Sequence, residues 1–402
     1  MGDLESATAA AIPQALRLKT YSNLEQLQEL LPAWDKLLSN YPLASTFSTW
    51  EWLDSWWRSF ANEAELLVLA LFDSSRLVGL APLSISNRKF PRFCSPRVVQ
   101  LMGDGSGDSD NLDFPVLPGF EMQLAQAILD YLEHDRRRWD ICQLNTMPTN
   151  SPVAGCLQKL LRSRRWTCFE HFRTCSAVHL PGTWDEYVEQ LSSEDRNNLA
   201  RYGRRLNKRY STRIYRCTDE QQLPRCLEAL FQLHQARWEK AGEQGSFASV
   251  ARRQFYEQLS QRLLGRGWLE MWVLELNGAI AAVQFAFRYG HKVYQLQEGY
   301  DPEHASDRAG FVLRGELLKQ LLSDGVRVYD FLGGELSYKA RWGAQAGKYR
   351  DLHFARPMSR GAICMCSVVY AGRSKQWLRH KLPAPAWRVL HHANAKLKGK
   401  RK

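Results

Sequence analysis

No run of apolar residues in this 402-residue chain is long enough to cross a bilayer, because a membrane-spanning helix needs about 20 such residues. The longest candidate, 361–371, predicts a buried strand or a surface-associated segment. Residues 1–15 contain two acidic residues and no basic residue, which does not fit a secretory signal peptide. We therefore expect a cytoplasmic protein with a disordered leader over residues 1–14.

The chain also lacks a recognisable metal-binding pattern. Its nine Cys are dispersed, and only Cys364 and Cys366 lie two positions apart, which is not a zinc-type spacing. The ten His are scattered, and no Ser/His/Asp or Cys/His arrangement stands out. We expect reduced, mostly buried thiols and no bound metal.

Acidic residues are missing from the C-terminal end. Residues 371–402 contain ten Lys or Arg and no Asp or Glu, so they supply most of the net charge of +12. Basic residues interleaved with Trp377, Trp387 and Leu390 suit an anionic membrane surface. We predict a basic tail over 357–402, in two short segments broken at Pro383 and Pro385, that places the protein at the inner membrane face. Nucleic acid binding and a purely solubilising tail remain alternatives.

The length of the remaining chain predicts two domains. The same order of elements recurs in its two halves, namely a hairpin, a strand, a loop, a helix and a strand. These elements fall at 66–86, 98–102, 121–137 and 139–145, and again at 269–288, 293–300, 310–323 and 327–332. We predict an α/β chain with mixed sheets flanked by helices, in two similar lobes over 15–180 and 181–356.

Large apolar residues recur at helical spacing from Trp50 through Leu53, Trp56 and Trp57 to Phe60. This periodicity makes one face of the helix apolar. We therefore predict a helix that packs this face against the core.

The loop 103–110 contains three Gly and three Asp and superficially looks like a calcium or phosphate loop. It lacks the closing Glu of a calcium loop and the Gly-Lys-Ser/Thr of a phosphate loop. We predict a flexible loop at a cleft.

A basic stretch lies between the two halves. Residues 196–216 contain eight Lys or Arg and no acid, in a pattern that predicts a helix with one basic side. That side is either solvated or an anion-binding rim for a phosphorylated donor or an RNA. The sequence leaves both interpretations open.

A candidate anion site lies where strand 293–300 is followed by a polar loop and the helix that begins near Gly310. Free N–H groups at a helix N-terminus bind anions. Because Gly310 has no side chain, a coenzyme A pyrophosphate could approach this turn closely.

The residues from Asp330 to Gly343 include Asp-Phe-Leu-x-Gly, then Tyr338-Lys339 and Trp342-Gly343. This order resembles the signature of the CelD-type (BioF2-like) acetyltransferase family of the GNAT superfamily, whose architecture is similar to that of the FemABX peptidyltransferases. The stretch from Phe47 to Trp57 is similar to the entry motif of that family. The resemblance covers about residues 20–356.

The resemblance implies two GNAT-like lobes and an acyl-CoA donor such as acetyl-CoA. It also implies a role in cellulose, exopolysaccharide or cell-envelope biosynthesis, with a small molecule or a glycan as the acceptor. The donor pyrophosphate is expected on Arg308, Ala309 and Gly310, with Phe311 and Lys339 completing the donor-binding set.

Acyl transfer to an amine or hydroxyl needs a proton acceptor and a proton donor. Glu298 precedes the donor loop, where GNAT enzymes commonly carry a general base, and Tyr338 could protonate the leaving thiolate. Asp330 and Glu335 are second candidates for the base. Glu298 could instead be a surface carboxylate, and Tyr338 could simply pack.

Two other functions remain open from the sequence. A FemABX-type transferase would use aminoacyl-tRNA, and the basic stretch 196–216 and the tail would then hold RNA. A non-catalytic scaffold of a polysaccharide synthase would bind neither donor.

Overall fold

The computed structural model describes residues 16–88, 95–240, 242–243, 245–334 and 337–381, with side chains up to residue 370. The predicted leader over 1–14, the candidate base Glu335 and the tail beyond residue 381 lie outside the described residues.

One mixed sheet of twelve strands runs through the molecule. In chain order the strands are β1 (Arg17–Tyr21), β2 (Glu65–Asp73), β3 (Arg76–Asn87), β4 (Arg97–Leu101), β5 (Ile141–Pro148), β6 (Thr167–His179), β7 (Thr212–Arg216), β8 (Leu269–Leu276), β9 (Ala279–Tyr289), β10 (Lys292–Tyr300), β11 (Val328–Gly333) and β12 (Gln345–Ala355). Their spatial order is β1-β2-β3-β4-β5-β12-β6-β11-β10-β9-β8-β7.

Helices cover this sheet. They are α1 (Leu24–Gln28), α2 (Leu31–Ser39), α3 (Trp50–Phe60), α4 (Glu121–His134), α5 (Pro152–Ser163), α6 (Trp184–Gln190), α7 (Ser193–Arg209), α8 (Leu223–Lys240), α9 (Val250–Gly265), α10 (Ala309–Ser323) and α11 (Arg360–Lys381). The second half has α8 and α9 on one face and α6, α7 and α10 on the other. Among the described helices, none has an apolar stretch long enough to span a membrane.

The predicted internal repeat is present in the topology. In the first half, hairpin β2-β3 is followed by β4, α4 and then β5, which is parallel to β4. In the second half, hairpin β8-β9 is followed by β10, α10 and then β11, which is parallel to β10. The predicted α/β class with mixed sheets flanked by helices is therefore confirmed.

Two long strands join the halves. Strand β6 comes from the first half but pairs with β11 of the second half. Strand β12 comes from the second half but pairs with β5 of the first half and, from Gln345 to Ala355, with β6. The boundary between residues 180 and 181 stays a prediction, since the sheet itself is continuous across it.

Two predicted elements differ in the structure. The helix expected over 196–216 ends at Arg209, and the chain then forms β7 beside β8. Thr212, Ile214 and Tyr215 favour a strand because β-branched and aromatic side chains suit a pleated sheet. The segment 361–371 belongs to helix α11 rather than to a buried strand, and its Met365 packs near Ile141 of β5.

Helix α3 buries the predicted apolar face in part and an additional residue beside it. Leu53 and Trp56 of that face are buried, and Trp50, Trp57 and Phe60 are partly buried against the core. Trp52, which lies outside the predicted face, is fully buried as well. The reason is that α9 packs beside α3, with the rings of Trp52 and Phe255 5.2 Å apart. The aromatic residues of α3 therefore join the two halves of the molecule.

Replacing Trp52 with Ala should lower the free energy of unfolding by about 3–5 kcal/mol, because it empties a buried aromatic position between the halves. Trp57→Ala is the matched control on the same helix and should cost clearly less, because Trp57 is only partly buried. Urea unfolding followed by circular dichroism measures both losses. Equal losses would contradict the role given to Trp52.

Candidate functional site

A gap opens in the sheet between β10 and β11. These strands pair only over residues 292–294 and 328–330. Beyond this point β10 continues beside β9 as far as Tyr300, while β11 follows β6 to the pair of Gly333 with Cys175. The two strands therefore separate after Tyr294 and Asp330.

Backbone irregularities accompany this separation. Strand β10 has a bulge between Gln295 and Gln297, and a bulge bends its strand. In β11, Leu332 adopts a left-handed conformation with φ 59°, and Asp330 accepts a hydrogen bond of 2.8 Å from the Leu332 N–H. Gly334 follows with φ 105°, a conformation that favours glycine.

Two spaces border the gap. The first, the helix-side cavity, has a volume of about 360 Å³ and lies between β10 and the start of α10. The second, the interlobe cleft, has a volume of about 630 Å³ and lies between the 103–110 loop and the ends of β10 and β11. Phe331 of β11 lines the cleft and packs edge-on against Tyr338, which lines the helix-side cavity.

Most of the predicted site residues line the helix-side cavity. Those brought together there are Glu298, Arg308, Ala309, Gly310, Phe311 and Tyr338. Helix α10 begins at Ala309, one residue before the predicted start, and Arg308 precedes it with φ 59° and ψ 37°. A Cβ atom at Gly310 would lie 3.7 Å from the Tyr300 side chain, so small side chains fit there. Phe311 and Val312 donate their N–H groups to the Arg308 carbonyl, at 2.9 and 3.0 Å, so the N–H groups of Ala309 and Gly310 are the ones left to bind an anion.

Arginine dominates the charge of this cavity. Arg237, Arg308, Arg314 and Arg341 line it together with one carboxylate, that of Glu298. Asp195, outside the lining, binds Arg341 at 2.7 and 2.8 Å. Arg308 makes no ion pair with any carboxylate in the described part of the chain, and its side chain hydrogen bonds to Tyr202. The helix-side cavity is therefore suited to an anionic ligand.

The Glu298 carboxylate lies between two guanidinium groups. It forms an ion pair with the buried Arg314 and a second ion pair, at 3.5 Å, with Arg237. Arg314 also donates a hydrogen bond of 3.3 Å to Gln284. These contacts occupy both carboxylate oxygens of Glu298.

Tyr338 sits at the mouth of the helix-side cavity with 44% of its surface exposed. Burial of its hydroxyl and the neighbouring Glu298 carboxylate raise the pKa of Tyr338 above its usual value. The hydroxyl therefore keeps its proton near neutral pH, as a proton donor must.

Asp330 and Lys339 do not line the helix-side cavity. Asp330 forms an ion pair of 2.8 Å with Lys292. The ammonium of Lys339 is buried and donates to the carbonyls of Phe331, Leu332 and Gly333, at 3.1, 3.4 and 2.7 Å. Lys339 therefore holds the irregular end of β11, a contact that the sequence did not indicate.

Asp110, in the interlobe cleft, was missed by the sequence analysis. Its carboxylate accepts a hydrogen bond of 2.9 Å from the Gly333 N–H, at the end of β11. Burial, together with the nearby Asp330 carboxylate, raises the pKa of Asp110 to about 6, although the Gly333 hydrogen bond opposes the shift. A carboxyl group with such a pKa can accept a proton near neutral pH.

The predicted cleft loop is anchored across the two halves. Asp108 accepts hydrogen bonds from Arg252 and Tyr256 of α9, at 2.9 and 3.1 Å. Asp104 accepts a bond of 2.7 Å from Asn145 at the end of β5. No group of three or more potential metal ligands occurs within the described residues.

The basic side of α7 lies beside the segment that leads into α10. Arg205 and Arg209 form ion pairs with the buried Asp307, at 3.6 and 2.5 Å. Tyr210 also donates to Asp307, at 2.9 Å. Part of the basic side is therefore structural, since it fixes the residue that precedes Arg308.

Comparisons with known proteins bear on the second half and on the fold. Residues 193–340 match the family model described as an acetyltransferase (GNAT) domain. This segment runs from α7 to Ala340 and includes the residues of the helix-side cavity up to Tyr338. The comparison with curated proteins gives no match.

Solved structures share the architecture at low sequence identity. FemX has a TM-score of 0.58 at 11% identity, covering 84% of this chain and 97% of FemX. A conserved protein from Bacteroides thetaiotaomicron has a TM-score of 0.52 at 12% identity, covering 81% and 97%. A tandem GNAT protein from the clavulanic acid biosynthesis pathway reaches 0.47 at 12% identity, covering 85% and 98%.

At such identities the structural matches show the fold alone, which is of the FemX type. The family match adds the activity class of the second half. The chain thus contains a GNAT-type acetyltransferase domain within residues 193–340 and is an acyltransferase.

Proposed function

We propose that the chain transfers an acyl group from an acyl-CoA to an amine or hydroxyl acceptor. The observation that carries this proposal is the helix-side cavity, where Arg308 and the first turn of α10 face a space beside a gap in the sheet. A coenzyme A pyrophosphate is a dianion, and a helix N-terminus with an adjacent Arg is a suitable receptor for it. Phe311 supplies an apolar wall.

The proposed acceptor side is the interlobe cleft. Its lining is mostly polar and includes Asp104, Asp110, Asn145 and Arg173. Polar walls suit a hydroxylated or amino-bearing acceptor, such as a small molecule or a glycan. Donor and acceptor would then meet at the gap between β10 and β11.

Transfer replaces the bond from the acyl carbon to the thioester sulfur by a bond to the acceptor nitrogen or oxygen. The acceptor gives up one proton and the leaving thiolate takes one. We assign the proton that the leaving thiolate takes to Tyr338, whose raised pKa keeps its hydroxyl protonated near neutral pH. This assignment gives Tyr338 the role of general acid.

Two carboxylates compete for the role of general base. Glu298 is held by Arg314 and Arg237, which occupy both of its carboxylate oxygens. Asp110 faces the acceptor side with a pKa raised to about 6. We therefore place Asp110 ahead of Glu298. Asp330 ranks below both, because it is paired with Lys292.

The proposal also covers the family to which the chain belongs within the GNAT superfamily and the biological process in which it acts. The signature from Asp330 to Gly343 supports a CelD-type enzyme of polysaccharide or cell-envelope biosynthesis that works in the cytoplasm. For Lys339 we propose a positioning role, in which it holds the three carbonyls of β11 next to the reacting groups.

A second candidate donor is an aminoacyl-tRNA. The observation that favours it is the basic side of α7, which lies next to the start of α10. There Arg201 and Arg308 both contact Tyr202, and Arg205 pairs with Asp307, the residue before Arg308. Phosphate binding along such a side would weaken steeply with salt. The two donors are therefore separable by direct binding.

Gly310→Asp should weaken coenzyme A binding roughly tenfold or more, or ~1.4 kcal/mol, by placing a carboxylate where the pyrophosphate would lie. Gly310→Ala is the matched control and should bind like the parent, because its Cβ meets only an ordinary contact at 3.7 Å. Calorimetric titration with coenzyme A and with tRNA measures the effect. Equal coenzyme A affinity in both variants would remove this loop from the donor site. Salt-sensitive tRNA binding without coenzyme A binding would favour the second donor, and absence of both would favour a scaffold.

Asp110→Asn should lower kcat/KM by about 10²–10⁴-fold, the usual contribution of a general base. In the parent, kcat/KM should rise through about pH 6, because Asp110 accepts a proton only once it is ionised. This decrease of kcat/KM at acidic pH, the acid limb of the pH profile, should be absent in Asp110→Asn and retained in Glu298→Gln. Rates measured from pH 5 to 8 with the acceptor test the assignment. Loss of the limb in Glu298→Gln alone would return the role to Glu298.

A further inference from the structure

The start of helix α11 has an unusual concentration of exposed apolar surface. Met358, Ile363 and Tyr370 are exposed by 96%, 68% and 64%, and Val368 by 47%. Ile363 and Tyr370 are seven residues apart, or two helical turns, so they lie on one side of the helix.

The other side of α11 is fixed to the sheet. Ala362 and Met365 are buried against Val98 and Ile141. Gly361 lies so close to the Asp140 carbonyl that a Cβ atom would come within 1.8 Å of the oxygen. The exposed side is therefore held in place by a rigid support.

Basic residues surround this apolar side. Arg360 begins α11 and is exposed, and Arg136 and Arg137 are exposed on the neighbouring turn, where Arg356 donates to the Arg136 carbonyl at 3.1 Å. Within the described residues, neither Arg136 nor Arg137 forms an ion pair with a carboxylate. No Asp or Glu occurs from residue 352 to the end of the sequence, whereas twelve Lys or Arg do.

Exposed aliphatic and aromatic side chains on a segment that carries basic residues and no acidic residue are typical of elements that lie in the interface of an anionic bilayer. A solvated helix would not need Ile363 and Tyr370 on its outer side, and RNA binding would not need the aliphatic residues. The positive charge of this surface also argues against a dimer formed through it, because the basic residues of the two copies would face each other.

We propose that this surface, formed by Arg136, Arg137, Met358, Arg360, Ile363 and Tyr370, docks on an anionic lipid bilayer. Helix α11 lies in the headgroup region, and the basic segment after residue 381 adds electrostatic attraction. This interaction goes beyond acyl transfer, which needs none of these residues. It also differs from membrane binding by the tail alone, because the folded part of the chain supplies the apolar contacts.

Vesicle co-sedimentation tests the proposal with the full chain. The double variant Ile363→Ser/Tyr370→Ser should bind vesicles of phosphatidylcholine with 30 mol% phosphatidylglycerol at least ~10-fold more weakly than the parent, because it loses apolar contacts while keeping every charge. The matched control Met122→Ser/Val250→Ser removes exposed apolar residues elsewhere and should bind like the parent. Binding should fall with salt and be weak on pure phosphatidylcholine.

Several outcomes would overturn the docking surface. Parent-like binding by Ile363→Ser/Tyr370→Ser would assign the interaction to the tail alone. If the parent does not bind vesicles, the proposal is wrong. If the parent instead binds tRNA in a salt-sensitive way, the surface belongs to an RNA site. If the parent is a dimer and only this double variant is a monomer, the surface is an interface between two copies of the chain. Melting temperatures establish that the variants fold. Solution rates of acyl transfer should be unchanged, so a failure here is distinct from a failure of the proposed activity.

Discussion

The packing of Trp52 against the second half determines where the site can form. Its ring lies 5.2 Å from that of Phe255, and its Nε1 donates a hydrogen bond of 2.9 Å to Ser109. Ser109 precedes Asp110, which in turn accepts from the Gly333 N–H. A continuous chain of contacts thus runs from the aromatic core to the end of β11. Because two of these contacts, Trp52 with Phe255 and Asp110 with Gly333, cross between the halves, the loop at the cleft is positioned by packing rather than by its own sequence.

Charge is divided across the gap between β10 and β11. The side next to α10 concentrates guanidinium groups, and the buried Arg314 there lies 5.2 to 5.8 Å from the rings of Phe331, Tyr338 and Trp342. The side next to the 103–110 loop concentrates carboxylates, including Asp110. Two reactants of different charge would therefore be kept apart until they meet at the gap.

Local signals in the sequence predicted the repeated hairpins, the crossover helices and the start of a helix near Gly310, because each depends on short-range periodicity or turn chemistry. Strands β6 and β12 were missed, since the middle of β6 and the first residues of β12 are exposed and lack an apolar alternation, and their partners are distant in sequence. The contacts of Lys339 and the raised pKa of Asp110 were equally invisible. The pKa of Asp110 is raised where the chain brings it next to residues more than 200 positions away in the sequence. Lys339 binds the carbonyls of an irregular strand end. No spacing pattern in the sequence predicts either contact.

The exchange of β6 and β12 between the halves limits how the molecule can be divided. A fragment beginning at residue 181 would keep β12 but lose both of its neighbours, β5 and β6, and would expose an eleven-residue ladder from Gln345 to Ala355. Such unpaired edges promote aggregation. Separately expressed halves should therefore be insoluble alone and recover only when they are co-refolded. An ancestral duplication followed by strand exchange would have made the two lobes mutually dependent, so that neither could later be lost or shuffled independently.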